Sequence, residues 1–426
     1  MSAAQQRHGK KNILAEHDDD GEYTAVASLR LRERPPPMRV ETTFVIVSAL
    51  RTAITKAKKG GLAQCAPEEM LGWTLKGVIA ESKIDPKLIE DVAVGTVLAP
   101  GGGSTQARMG SLWAGIPNTA GCNSLNRQCS SGLAAVNQIA NQIALGQIDI
   151  GIGSGVESMT LNYGAGVMPA KMSDAVMENE EAADCMMPMG ITSENVAKKY
   201  NINRQKQDTF AAESFSRAAA AQKAGKFKSE IVTVKYTDDD GNERTVDADD
   251  GIREGVTVES LGKLKPAFAK DGFTHAGNAS QVSDGAASVL LARRSAAKKH
   301  GLPIIGKFVT CAVVGVPPNI MGVGPAYAIP RLFELTGLTK DDIDIFEINE
   351  AFASQALFSV EHLGIDKKKV NPVGGAIAMG HPLGATGARQ IATGLAEAKR
   401  QGGKKLIVTS MCVGTGMGCA SLIVSA

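Results

Sequence analysis

Four shortages bound what this chain of 426 residues can be. It has no surplus of either charge: 46 Lys and Arg stand against 44 Asp and Glu, a net charge of +2, which gives no reason to expect a nucleic-acid or membrane-surface partner and leaves an anionic substrate open. It has no apolar run of about 18 residues and no apolar N-terminal stretch, so neither a membrane-inserted nor a secreted protein is expected. Its seven cysteines are odd in number and none forms a Cys-x-x-Cys pair, which argues against a disulfide framework or a zinc site and for a reducing compartment. Aromatic residues make up only 4%, against 47 glycines, so tight turns and close backbone approaches must be frequent.

What is present alternates between strand and helix patterns. Phe44–Ser48 is a β-branched run, and Glu68–Ser82 carries Met70, Leu71, Leu75, Val78 and Ile79 at helical spacing. Val92–Leu98 reads as a strand, Leu133, Val136, Ile139, Ala140 and Ile143 as one helix face, and Asp149–Gly155 as a buried strand. The order returns in the last third, with strands at Gly306–Val316, Ile343–Ile348, Leu406–Met411 and Ala420–Val424, and helices at Ala326–Thr336 and up to Lys399. The length requires two or three domains or one duplicated architecture, and the repeated order favours duplication, with a shared cleft between facing halves. The expected division is a leader over 1–40, a first half over 41–160 completed by about 281–295, an inserted segment over 161–280, and a second half over 296–426. Within the insertion, Thr237–Asn242 is a hairpin-turn candidate.

Three glycine-flanked segments hold reactive side chains: Asn126–Gly132 with Cys129, Gly380–Gly384 with His381, and Ser410–Gly418 with Cys412. Cys129 directly precedes a helical pattern, where peptide dipoles favour a thiolate by about 0.3–2 kcal/mol, roughly 0.2–1.5 pKa units. That leaves much of the thiol protonated near neutrality, so a nearby base is needed. His381, one of six histidines, is followed by Pro382, a residue suited to the first helical position, and can accept the thiol proton. Cys412 ends an apolar strand where alternating glycines can expose N–H groups as an anion-stabilising nest, and its thiol can shuttle a proton. Asn349 and Glu350 emerge at a strand end, where ligands bind in such sheets. The amide of Asn349 there holds a water or an oxyanion, or else caps a helix, and the residues alone favour the cap.

Taken together, NRQCSSG at Asn126, PMGITSENVA at Pro188, GNASQVSDGAA at Gly277, NEAFASQ at Asn349, GGAIAMGHPLGATGAR at Gly374 and CVGTGMG at Cys412 resemble the thiolases, most of all the peroxisomal-type 3-ketoacyl-coenzyme A thiolases, over about residues 40–426. The resemblance implies an α/β thiolase fold with duplicated five-layered αβαβα halves, an inserted loop domain covering coenzyme A, and a homodimer or tetramer. It also implies that Cys129 is acylated, His381 activates it, and Cys412 moves a proton at the carbon alpha to the thioester. Asn349, through a water, and His381 would form one oxyanion hole, and the N–H groups of Cys129 and Gly414 the other. By the same resemblance Ser280 contacts the pantetheine arm, Arg253 the nucleotide end, and Met189 the substrate. Ser280 as a turn hydroxyl and Arg253 as a solvated charge remain alternatives. Pro188 stands where short-chain acetoacetyl thiolases usually carry His, which favours longer or broader 3-ketoacyl substrates and thiolysis over condensation.

The implied activity is thiolysis of 3-ketoacyl-coenzyme A in fatty acid β-oxidation, with coenzyme A as a substrate and no metal or redox cofactor. Biosynthetic acetoacetyl-coenzyme A thiolase, a ketoacyl synthase and a non-catalytic acyl-coenzyme A binding protein are the competing readings. Lys10–His17 resembles an N-terminal peroxisomal targeting signal, with Lys10 and His17 seven apart, but Lys11 stands where an aliphatic residue or Gln is usual and Asp18 where Leu or Ala is. The expected compartment is therefore the peroxisome or glyoxysome, with an import receptor as partner and the cytosol or mitochondrion as alternatives. The C-terminal Val424-Ser425-Ala426 offers no peroxisomal tripeptide.

Overall fold

β-Branched and small residues buried on both faces build the strands, as two-sided packing demands. The computed structural model describes residues 44–164 and 171–426. The leader and its Lys10–His17 stretch lie outside them. In chain order the strands are β1 (Phe44–Arg51), β2 (Thr55–Lys56), β3 (Asp91–Gly95), β4 (Gly121–Leu125), β5 (Ile150–Ser158), β6 (Val234–Thr237), β7 (Glu243–Val246), β8 (Ser283–Arg293), β9 (Gly306–Gly315), β10 (Ile345–Ile348), β11 (Leu406–Val413) and β12 (Met417–Ser425).

Two sheets of one topology result. In the first, β4, β3, β5, β8 and β1 lie side by side; in the second, a single bridge at Val370 is followed by β10, β11, β12 and β9. Each therefore runs third, second, fourth, fifth, first. In both, the second strand is parallel to the third and fourth, and the remaining pairs are antiparallel. One pair, Ile46 with Gly306, joins the sheets edge to edge.

Three apolar clusters define the layers. The helices Pro67–Ser82 and Ser104–Trp113 cover the outer face of the first sheet, with Met70, Leu71, Leu75 and Val78 against Val92, Val94, Ile152 and Leu290. Helices Gly324–Thr336 and Ala353–Leu363 cover the outer face of the second, through Ile329, Leu332 and Val360 against Phe346, Val408 and Leu422. Between the sheets lie Ser131–Ala144 and Thr386–Gln401. Their Leu133, Val136, Ile139, Ile143, Ile391 and Leu395 meet Ile46, Val289 and Leu291 on one side and Ile407, Met411 and Ile423 on the other. The five αβαβα layers thus belong to the two halves jointly. Each such side chain removed from water contributes about 1.5–3 kcal/mol, so the middle layer is held from both faces.

The segment between β5 and β8 carries helices Met189–Lys199 and Arg204–Lys223 and the hairpin β6–β7. Its turn is the expected one: the Asp238 carboxylate accepts N–H groups of Asn242 (2.7 Å) and Asp240 (3.1 Å), and Gly241 supplies φ 83°. Arg51 bolts this segment to β1, with Nε 2.7 Å from Glu230 and Nη1 and Nη2 2.7 and 2.9 Å from Asp249, all buried. No helix among the described residues is long and apolar enough to cross a membrane.

Candidate active site

After β4 the chain turns sharply. Gln128 takes φ 46°, Ser130 N–H donates to Arg127 O (3.0 Å), and the helix starts at Ser131 with Ser130 as its N-cap. Cys129 sits one residue before the cap, at the tip of the turn, where the backbone N–H groups of Gly414 and of Cys129 itself favour its charged form. Burial nevertheless pushes the thiol up to about 11, against those two donors. The sequence expectation of a dipole-lowered thiol is therefore corrected: loss of hydration outweighs the helix field.

His381 lies in the matching place of the second half, between the Val370 bridge and the helix Thr386–Gln401. Pro382 is not the first helical residue. It opens a turn in which Ala385 and Thr386 N–H groups bond to its carbonyl (2.9 and 3.1 Å), four residues ahead of the helix. That turn fixes the imidazole tautomer. The Thr386 hydroxyl donates its one proton to Pro382 O (3.0 Å), so at 2.6 Å it must accept from His381 Nδ1–H. Nε2 is then the free base and accepts from Asn349 Nδ2 at 3.3 Å. Burial first, and the charge of Arg389 second, lower this imidazole to about 3. Burial thus favours the neutral form of both the thiol and the imidazole.

Asn349 follows β10, its N–H bonded to Ser410 O (2.8 Å) on β11. It is not a helix cap, because the next helix starts at Ala353 with Phe352 in the cap position. Its Oδ1 is buried and has no protein partner among the described residues. Glu350 points into the protein, accepting from Asn371 Nδ2 (2.7 Å), Ser214 Oγ (2.7 Å) and Ile377 N–H (3.2 Å), and so ties β10 to the approach of the His381 turn.

Cys412 is fully buried near the end of β11, its thiol raised well above the ordinary range by burial and by the neighbouring Cys129. Gly414–Gly416 form the turn to β12, with φ 66° at Thr415 and 90° at Gly416. Cys412 packs with Ala279, Met321, Ala351 and Phe352, and Met189 lies against this cluster. Ser280 borders it, its N–H bonded to Ala351 O (2.9 Å). Arg253 stands apart, exposed, its guanidinium 4.7 Å from the centre of the Phe215 ring.

Glycine backbone draws the two reactive turns together. A Cβ at Gly132 would lie 2.5 Å from Gly384 O, and one at Gly384 would lie 2.7 Å from both Gly95 O and Thr96 Cα. The helix after Cys129 and the turn after His381 therefore touch main chain to main chain, which only glycine permits. The arrangement combines a thiol, a free imidazole lone pair, a second buried thiol and two groups of hydrogen-bond donors, the parts needed for acyl transfer with proton transfer at carbon. Among the described residues no cluster of three His, Cys, Asp or Glu is placed to hold a metal.

Sequence reasoning missed three supporting residues. Thr386 sets the tautomer, and Gln281 accepts His381 N–H through its carbonyl (3.1 Å) while its amide donates to Gly251 O and Ala378 O (2.9 Å each). Glu157, in buried β5, is the third. A carboxylate inside an otherwise uncharged buried strand was the available signal.

The thiolase N-terminal domain family matches residues 44–295, and the thiolase C-terminal domain family residues 302–425. The peroxisomal 3-ketoacyl-CoA thiolase of Yarrowia lipolytica is 62% identical over 385 residues, 89% of this chain and 92% of that protein. The human peroxisomal 3-ketoacyl-CoA thiolase is 53% identical over 390 residues, 91% of this chain and 92% of its own. Among solved structures, the dimeric peroxisomal thiolase of Saccharomyces cerevisiae superposes with a TM-score of 0.86 at 52% identity, covering 91% of this chain and 98% of that one.

Proposed function

The chain belongs to the thiolase family, and from that premise we propose that it is a 3-ketoacyl-coenzyme A thiolase of fatty acid β-oxidation, an acetyl-CoA C-acyltransferase. The observation that carries the mechanism is the bonding of His381, whose Nδ1–H is taken by Thr386 while Nε2 is left unprotonated, in a buried setting that raises the Cys129 thiol and lowers the imidazole. With the neutral forms favoured, the thiol proton passes to Nε2 as sulfur attacks the 3-keto carbon. The N–H groups of Cys129 and Gly414, or the Nε2–H so formed together with Asn349 through a water, take the negative oxygen. The carbon–carbon bond then breaks, and Cys412 gives its proton to the alpha carbon of the departing acetyl-coenzyme A enolate. Removing one oxyanion donor typically costs about 2.7–4 kcal/mol. Coenzyme A gives its thiol proton to the Cys412 thiolate and attacks the acyl-Cys129 thioester; the shortened acyl-coenzyme A leaves, and the Cys129 sulfur takes back the proton held on Nε2.

Coenzyme A is a substrate in this scheme, and no step calls on a metal or redox cofactor. Met189 and Ser280 flank the acyl and pantetheine path beside Cys412, and Arg253 meets the nucleotide end, with the insertion over 161–280 as cover. A homodimer and a peroxisomal location follow the relatives' descriptions, with the leader as targeting segment and an import receptor as its partner.

Thiolysis of 3-ketoacyl-coenzyme A substrates from four to sixteen carbons tests the reading: activity is expected to peak above the shortest substrate. A stoichiometric acyl adduct on Cys129, absent in Cys129→Ala, is expected with acetyl-coenzyme A. Turnover only with malonyl-coenzyme A would sink the reading in favour of a ketoacyl synthase.

A further inference from the structure

Glu157 has no part in the chemistry above, yet it is 1% exposed and all four of its hydrogen-bond donors are neutral. Oε2 accepts the N–H groups of Val97 (3.0 Å) and Gly384 (2.9 Å), and Oε1 accepts Leu98 N–H (3.1 Å) and the Thr96 hydroxyl (3.3 Å). Three of these donors belong to the loop after β3 in the first half. The fourth belongs to the His381 turn of the second half. The carboxylate is thus a polar latch between halves, placed where Gly384 is threaded against Gly95, Thr96 and Val156.

Its station in the repeat is informative. The last residue of the second strand pairs with Gly155 in the first sheet (from Gly95) and with Ser410 in the second (from Ile348). Two residues on, the sheets carry Glu157 and Cys412. By the same count Thr96 matches Asn349, and Gly132 matches Gly384, each three residues past Cys129 or His381. The first half therefore bears a fixed carboxylate where the second bears a thiol. We infer that Glu157 is a positioning residue for thiolysis, which through the Gly384 N–H fixes the His381 imidazole relative to the Cys129 thiol. This rests on the reading of the site as a thiolase centre.

The test is Glu157→Gln in the full chain. With the amide NH2 toward Val97 and Gly384 both of those bonds are lost; turned the other way it loses the Leu98 bond while the Thr96 hydroxyl can reverse to accept, and in either case volume is kept. Misplacing a catalytic group by about 1 Å can cost 10²-fold, so kcat for thiolysis is expected to fall about 10- to 100-fold with KM changed less than about threefold. The rate of Cys129 alkylation by iodoacetamide gives a second readout. The titratable groups around Glu157 are the Cys129 thiol, His381 beyond Gly384, Glu68 across a small shared cavity, and Asp284 opposite Ser158 on β8. Removing the carboxylate's charge is expected to move the alkylation profile to lower pH even as kcat falls. A loss of folded fraction that accounts for the whole loss of activity would mean a purely structural role and would overturn the inference. So would kcat within about threefold of wild type. If Glu157→Gln does not fold, Glu157→Asp, whose carboxylate keeps its charge but is drawn back by one methylene, is judged by kcat and KM alone. Absence of thiolysis in the wild-type protein would count against the proposed function; an active wild type with unaltered variants would count against Glu157 alone.

Discussion

At the scale of single residues, burial overrides local dipoles. Because the Cys129 thiol is raised to about 11, its alkylation in the ligand-free enzyme is expected to keep rising through pH 9 and 10, where an ordinary thiol near 8.5 would level off. A plateau below pH 8 would mean that the pair rests as thiolate and imidazolium. Cys412→Ser is expected to retain slow acylation of Cys129 but lose alpha-proton exchange on acetyl-coenzyme A, and unchanged exchange would remove Cys412 from its role. The identities of Cys129, His381 and Cys412 could be picked from their glycine-flanked settings. Their protonation states could not, because desolvation depends on what the rest of the chain stacks around them. Asn349 was drawn toward a capping reading for the same reason: only the pairing of β10 with β11 shows that the helix starts four residues later.

At the scale of elements, the contacts between turns decide what can be changed. Gly132→Ala would place a methyl 2.5 Å from a main-chain oxygen that no rotamer change can move aside, an overpacking cost of about 1–3 kcal/mol or more. Gly101→Ala meets nothing within 4 Å and bears only the strain of φ 58°, about 1–2 kcal/mol. Denaturant unfolding is expected to rank Gly132→Ala as the more damaging of the two, and thiolysis is expected to fall only for it. A reversed ranking would mean that the two turns do not bear on each other. The longer elements were legible from period and burial, as with the helix through Leu133, Val136 and Ile143. The strand at Val370 was not, because a single bridge leaves no alternation to read. Pro382 misled because proline favours the start of any turn, helical or not.

At the scale of the whole molecule, buried ionisable groups make stability depend on pH. Glu347, paired with Arg389 at 3.2 Å, is raised by burial from 4.5 to about 8. Between those values the folded state binds more protons than the unfolded state, so this group's contribution is complete below about pH 4.5 and is lost as pH rises toward 8. His381, lowered from 6.5 to about 3, has the opposite sign and costs stability as pH falls through that window. Thermal midpoints at pH 5 and pH 8 are expected to differ less in Glu347→Gln than in wild type if Glu347 is the titrating group, and an equal difference would exclude it. The duplication itself was readable from the recurring order of strands and helices. The shared middle layer was not, since it requires knowing which face of each sheet meets the other.

That middle layer also makes the two halves depend on each other. A lone copy of the repeat would leave an apolar face of its central helix uncovered, so neither half is expected to fold without the other. Identical partners must carry the same side chain at every matched position. Two halves within one polypeptide are free of that restriction, and here one carries Cys129 where the other carries His381.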